Sequence, residues 1–442
     1  MKKRLIYTLL AGVIALGMLL TGCNSSENVD TVKSGFDTSK IEDYVIIYPQ
    51  AEETEYKILA KEISSYIDSA LGERVRFYSD EREKGDYEIL LGKTNRELSS
   101  ENYKTNPDLF THKLVVKGNS MQIVSGGAYS AKHCFDTFKA EVFRRSSKPL
   151  AEGTYYEQNL YTKPADRPVE SQVRIMSTNL LSEQWGMDEN KLTTNYRAEI
   201  YATMLFGYAP DVVGVQECDK TWQELLTKYL TILKDNYNLN YQFLLNDNSG
   251  TINYSCLLYR ADKFAPVNYY GLQRFNWWEE VEGGNPSYDM RNITYAQFNP
   301  IHLSGLAQSF VVANTHWSYR TEHEDAYGTN VLRTQCKEET NEFLNELKKN
   351  LNCPIFVTGD FNTSLSYFEG ASSWMSASEF ILLSSQASEN GCLQKEVPQS
   401  GFYDHVFGNG NYTVVGYTHF NTGNQIGYVS DHSFIVADIV IN

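Results

Sequence analysis

The stretch CPIFVTGDFNTS, residues 353–364, decides how the rest of the chain is read. Its apolar run passes through Thr358 and Gly359 into Asp360, Phe361 and Asn362, so a buried strand is predicted to end in an acid and an amide two positions apart. Alone, Asp and Asn at a strand end more often turn the chain than catalyse anything. The same pattern recurs elsewhere. Asn179 ends the predicted strand VRIMSTN, Glu217 ends PDVVGVQE, His316 ends SFVVANTH and Asp404 opens DHVF, while Asp431 and His432 stand just before the last strand. Strand ends line up along one rim of a sheet, so groups distant in sequence can converge on one pocket.

The residue types specify a chemistry. Glu217 and Asp431 are hard oxygen ligands suited to Mg²⁺ or Mn²⁺, and Asn179 can order that metal shell without adding charge. Asp360 is then placed as general base for an attacking water, with Asn362 on the same face of an extended segment to hold the water or a phosphate oxygen. His316 and His432 can donate to nonbridging oxygens as charge develops, and Asp404 is the natural orienter of His432.

In this order the pieces STN, VVGVQE, YRADKF, RNITYAQF, NTHW, GDFN, YDHVF and SDHSFI resemble the endonuclease/exonuclease/phosphatase family, which includes deoxyribonuclease-like and sphingomyelinase-like enzymes. The resemblance spans residues 170–442. It implies a four-layer α/β/β/α sandwich and divalent-metal hydrolysis of phosphodiester or phosphomonoester bonds, with Arg197 or Arg291 as a phosphate contact. Where family members often carry a glutamate before the YR strand, this chain has Asn253 and Tyr254.

Working outward, residues 41–163 read as a smaller α/β accessory domain. DYVIIYP, RVRFYS, DYEILLG, HKLVVKG and MQIVSG are predicted strands, and residues 53–71 and 128–143 predicted helices. The segment EILLGKTNRE resembles noncatalytic domains of secreted carbohydrate-active enzymes. A polar, proline-containing boundary follows at YTKPADRPVESQ. Helices are also predicted over 194–208, 219–230 and 325–349.

The first 23 residues, KKR followed by one long apolar run ending LLTGC, have the order of a secretory signal with a lipobox, making Cys23 a lipid attachment site. Residues 24–40 form a polar tether. The expected location is the outer face of a cell membrane, through that anchor, as a monomer. Six further cysteines lie scattered without C-x-x-C spacing, which excludes a zinc or redox motif and favours buried thiols. Charge is lopsided: residues 166–442 hold 17 Lys and Arg against 32 Asp and Glu. Such a surface gains little from general attraction to a phosphate backbone, although a bound cation can supply positive charge locally.

The expectation is therefore a phosphate-ester substrate: nucleic acid, phospholipid head group or sugar phosphate. The alternatives are a nuclease against a sphingomyelinase or phospholipase, and outside the enzymes a surface glycan-binding lipoprotein using the hydrolase fold as scaffold. Trp277 and Trp278 sit in a loop that can stack on a ligand or close the core edge, and Trp317 and Tyr319 are expected to line the cleft. His133, His302, His405 and His419 have no comparable company and are read as structural.

Overall fold

The computed structural model describes residues 35–139, 150–159, 167–183, 193–244, 255–274, 291–301, 308–317, 329–363, 379–389, 403–421 and 429–442. Cys23, Asn253, Tyr254, Trp277, Trp278, His302, Tyr319 and Cys392 lie outside them.

The N-terminal part contains β1 (Gly35–Phe36), β2 (Val45–Tyr48), α1 (Glu53–Leu71), β3 (Arg76–Ser79), β4 (Glu88–Leu91), α2 (Glu97–Asn102), β5 (Thr111–Lys117), β6 (Ser120–Ser125), α3 (Ala128–Phe138), β7 (Leu150–Ala151) and β8 (Gly153–Asn159). Six strands form one sheet in the order β3-β2-β4-β6-β5-β8. The expected tether over 24–40 is corrected at its end: β1 pairs with β7 and Phe36 is buried in this core, so the folded domain begins by residue 35. Helix α1 matches its predicted span because Tyr56, Leu59, Ile63 and Ile67 recur every three or four residues and bury against that sheet. It stops at Gly72, whose left-handed backbone (φ +76°) suits a residue without a side chain.

The remainder contains β9 (Val173–Asn179), α4 (Thr194–Tyr208), β10 (Val212–Gln216), α5 (Lys220–Tyr237), β11 (Tyr241–Leu244), β12 (Ser255–Arg260), β13 (Phe264–Arg274) and β14 (Asn292–Pro300). After these come β15 (Phe310–His316), α6 (Thr329–Asn350), β16 (Ile355–Asp360), β17 (Ile381–Leu382), α7 (Leu383–Glu389), β18 (Asp404–Asn409), β19 (Tyr412–Asn421) and β20 (Ser433–Ile441). Helix α5 outruns its predicted end at residue 230, since Leu233 continues the apolar stripe and Asn238 supplies the left-handed stop.

Two six-stranded sheets result, ordered β11-β12-β10-β9-β20-β19 and β13-β14-β15-β16-β18-β17. Ile175, Val212 and Leu257 of the first pack on Phe298, Val312, Phe356 and Val406 of the second. The outer face of the first carries α4 and α5 through Tyr201, Trp222 and Leu226, and that of the second carries α6 through Cys336, Leu344 and Leu347. This is the four-layer α/β/β/α sandwich, preceded by the smaller α/β unit.

The sheets are pinned together near one rim. A Cβ on Gly214 would fall 1.9 Å from Thr358 Oγ1, so only glycine permits this approach. Beside it Asn314, from the second sheet, donates to the carbonyls of Val215 (2.8 Å) and Cys256 (2.9 Å) in the first and accepts from Gln216 Nε2 at 2.6 Å. A buried polar bridge of this kind fixes one register between sheets that apolar contacts alone would let slide.

Candidate active site

Register explains why residues 44 positions apart become neighbours. His316 pairs with Asp360 across parallel β15 and β16, and Asp360 with Asp404 across antiparallel β16 and β18, giving one row of three functional groups along the rim of the second sheet. In the first sheet Asn179 pairs with Gln216, so Glu217 emerges just beyond it. His432 enters from the turn before β20. Three non-glycine residues with left-handed backbone, Leu181 (φ +55°), Glu217 (+56°) and Asn362 (+49°), stand at these strand ends. Each holds a conformation that costs about 1 kcal/mol or more, which the surrounding bonds must sustain.

Asp360 is the centre. Its Oδ2 accepts from Asn179 Nδ2 at 2.9 Å and lies 3.3 Å from His316 Nε2 and 3.7 Å from His432 Nε2, while Oδ1 accepts the Asn362 N–H at 2.8 Å. Burial opposes its charge, but His432, His316 and these donors outweigh it and hold the carboxyl well below the usual range. Asp360 is thus held as an anion between two imidazoles.

Asp404 and His432 form a dyad, Nδ1 to Oδ2 at 2.7 Å. Burial pushes the Asp404 carboxyl up to about 6, with His432 pulling the other way. His432 is driven well above the ordinary imidazole value, against its burial, by Asp404 and Asp360, so it is a cation at neutral pH. Glu217 accepts from Ser182 N–H (2.9 Å) and Asn179 Nδ2 (3.2 Å). Burial works against its charge; the nearby His316 and these two donors prevail and keep its carboxyl below the usual value.

Several expectations are corrected. Asn362 Nδ2 donates to the Trp317 carbonyl at 2.9 Å and its N–H closes a turn onto Asp360, so this half-buried residue positions Asp360. Trp317 is fully buried, donates to Thr340 and packs on Phe361, because the residue after His316 in an extended strand points to the opposite face. Arg197 is also fully buried, its Nη1 donating to the carbonyls of Leu180, Leu181 and Val429, and cannot meet an external phosphate. Arg291 is half-buried just before β14, whose Ile293 pairs with Thr315, which puts it at the His316 end of its sheet.

Asn179 turns its amide nitrogen to Glu217 and Asp360 while Leu181 N–H donates to its oxygen at 3.0 Å, so it orders the two carboxylates. Asp431 is exposed and close enough to His432 to favour its charge. Among the described residues, the group with ligand atoms mutually within 4.8 Å is Asp360, Asp404 and His432, which differs from the expected Glu217, Asn179 and Asp431. Asp404 Oδ2 and His432 Nδ1 bond each other, and Glu217, beside Asp360, is a further hard carboxylate suited to a divalent ion.

The sequence reading missed Ser182, Gln216, Asn314 and Thr358, which support the site from below; a polar residue inside an apolar strand, as in VVANTH, was the available signal. His405 is buried with Nε2 against the Thr363 carbonyl, and His419 is buried, so both are structural. Among the described cysteines, no disulfide joins Cys134, Cys218, Cys256, Cys336 and Cys353, all but the last buried.

A family model described as "Endonuclease/Exonuclease/phosphatase family" matches residues 176–432. No curated protein sequence matches the chain. Among solved structures, the chain is similar to a mannosyl-6-phosphatase of Bacteroides thetaiotaomicron, with 17% identity and a TM-score of 0.46 over 61% of this chain and 100% of that one. It is similar to the human nocturnin catalytic domain with bound sulfate anion, with 19% identity and a TM-score of 0.44 over 61% and 94%. A functionally unknown conserved protein of Enterococcus faecalis gives 13% identity and a TM-score of 0.45 over 61% and 100%. The family match spans more than half of the sequence, and the chain belongs to the endonuclease/exonuclease/phosphatase family, with the fold of a phosphoester hydrolase.

Proposed function

We propose that the protein is an extracytoplasmic, lipid-anchored phosphoesterase that uses Mg²⁺ or Mn²⁺ and a water nucleophile. The observation that carries this reading is the rim row of His316, Asp360 and Asp404 with His432 bonded to its last member. It supplies an anion beside two imidazoles, which is what in-line attack on phosphorus needs. Asp360 holds the water; a loose transition state demands little deprotonation of the nucleophile, so a weak base suffices. The His432 cation, kept charged by Asp404, donates to a phosphoryl or leaving oxygen, and His316 donates beside it. Glu217 would hold the ion. A bound divalent cation supplies positive charge to the phosphoryl oxygens as negative charge gathers there.

Two buried atoms favour a ligand-binding role over a scaffold: His316 Nδ1 and Asp404 Oδ1 have no hydrogen-bond partner among the described residues. The excess of acids over bases in residues 166–442 favours small phosphoesters and phospholipid head groups over long polyanions. Anchoring rests on KKR, the apolar run and LLTGC with Cys23; no helix among the described residues is long and apolar enough to cross a membrane. The test is a screen of purified protein with Mg²⁺ or Mn²⁺ against plasmid DNA, RNA, sphingomyelin, phosphatidylinositol, sugar phosphates and small phosphodiesters. Turnover that EDTA abolishes and added metal restores supports the reading; turnover untouched by EDTA overturns it.

A further inference from the structure

Helix α4 is buried nearly all round, with Ala198, Glu199, Ile200, Tyr201, Ala202, Thr203, Met204 and Leu205 all hidden in succession. A helix on a protein surface hides one stripe, so α4 has neighbours on both sides. Towards the first sheet, Tyr201 hydroxyl bonds Thr178 Oγ1 at 2.9 Å, one residue before Asn179. Arg197 Nη1 donates to Leu180 O (2.8 Å), Leu181 O (2.9 Å) and Val429 O (2.9 Å), and its guanidinium lies over Trp222. Those carbonyls belong to two loops that serve the site. The first also gives Leu181 N–H to Asn179 and Ser182 N–H to Glu217, and the second leads into His432.

Away from the sheet, α4 meets the N-terminal domain. Glu199 accepts the Tyr129 N–H at 3.1 Å in the first turn of α3, where the preceding Gly127 has no side chain to cap it. A Cβ there would fall 2.2 Å from Glu199 Oε1, so the glycine makes room for a carboxyl group from the other domain. In return Glu55 of α1 accepts from Thr193 Oγ1 (2.9 Å) and Asn195 Nδ2 (3.1 Å) at the start of α4. Phe110 packs on Phe206, and Tyr129 on Tyr196. Each domain thus holds a helix start of the other.

We infer that the N-terminal domain is a positioning element of the catalytic unit: Glu55 and Glu199 fix α4, and Arg197 and Tyr201 carry that placement to Asn179, Glu217 and His432. The inference rests on the phosphoesterase reading for its effect on turnover, and on the contacts alone for its effect on loop order. Arg197 is a positioning residue that touches no substrate.

The experiment uses the full chain carrying Glu199→Ala, Gly127→Ala or Glu55→Ala, with Lys117→Ala on the exposed face of the same domain as control. Hydrogen exchange of a peptide spanning residues 179–183 should quicken by roughly 5-fold or more in the three interface variants and remain unchanged in the control. On the best substrate, kcat should fall about 10-fold with KM moved less than ~2-fold. Arg197→Lys should retain more of kcat than Arg197→Met. Wild-type exchange and kcat in all three interface variants would overturn the inference. Faster exchange in a protein inert towards every phosphoester would overturn the reaction assignment alone, and unchanged exchange with measurable turnover would overturn the coupling alone.

Discussion

Replacing Asp404 by Asn removes one charge from the dyad and leaves its shape. In the native site the carboxylate sits 2.7 Å from His432 Nδ1 and, with Asp360, keeps that imidazole charged despite its burial. A charge-assisted hydrogen bond of this kind contributes about 1.5–3 kcal/mol. Its loss weakens the charged form of His432 by that energy, a factor of roughly 10 to 100 at 1.36 kcal/mol per tenfold. The sign is fixed: a cation favoured in the folded state is lost as pH rises through its pKa, so the variant loses it at a lower pH. In kcat/KM against pH with Mg²⁺, the alkaline limb should move to lower pH, giving about a 10- to 100-fold deficit above the limb and a smaller one near pH 6. An NMR titration of the His432 ring should follow the same shift. An alkaline limb that stays in place while activity falls equally at every pH would refute the reasoning and leave Asp404 a packing residue.

Other outcomes follow from the same geometry. Asn314→Ala strips the bridge between the sheets, leaving Gln216 Nε2 without its 2.6 Å acceptor and removing the amide donor from the Val215 and Cys256 carbonyls, and should destabilise by about 3 kcal/mol in denaturant unfolding; loss of under ~1 kcal/mol would show that the bridge carries little. Burial raises the Glu199 carboxyl from 4.5 to about 8, with Tyr129 N–H pulling down, so its contribution to stability is fullest below the unfolded value and is lost as pH rises through 8. Glu199→Gln keeps the acceptor without the titration. Its thermal midpoint should therefore decline less than wild type between pH 6 and 9, and parallel curves would contradict this. Cys23→Ala should move the expressed protein from the membrane fraction to the soluble one; unchanged membrane retention would remove the anchor.

Much of this site was legible because strand ends advertise themselves. Asp360, His316, Glu217 and Asp404 each interrupt an apolar run at a place where the chain must leave the core, and the order of those interruptions carried both the fold and the site. What was illegible depends on direction and on partners distant in sequence. Trp317 sits beside His316 in sequence but across the sheet from it in space, a consequence of the two-residue strand period. Arg197 looked like a phosphate contact because an arginine's charge is visible in a sequence and its three carbonyl partners are not. Asn362 was expected in an extended segment, whereas its left-handed backbone turns its amide onto Trp317. Strands β1, β7, β8, β11, β13 and β17 went unpredicted: Pro266 and a register shift interrupt β13, and β1, β7 and β17 span two residues each.

The central claim is that a water ordered by Asp360 attacks phosphorus. It is tested most directly by single-turnover hydrolysis of the best substrate in ¹⁸O-water, followed by ³¹P NMR, for wild type and Asp360→Asn. One ¹⁸O bound to phosphorus in the product, formed at least about 10²-fold more slowly by the variant, is the predicted result. Product phosphate without label, or an Asp360→Asn rate equal to wild type, would contradict it.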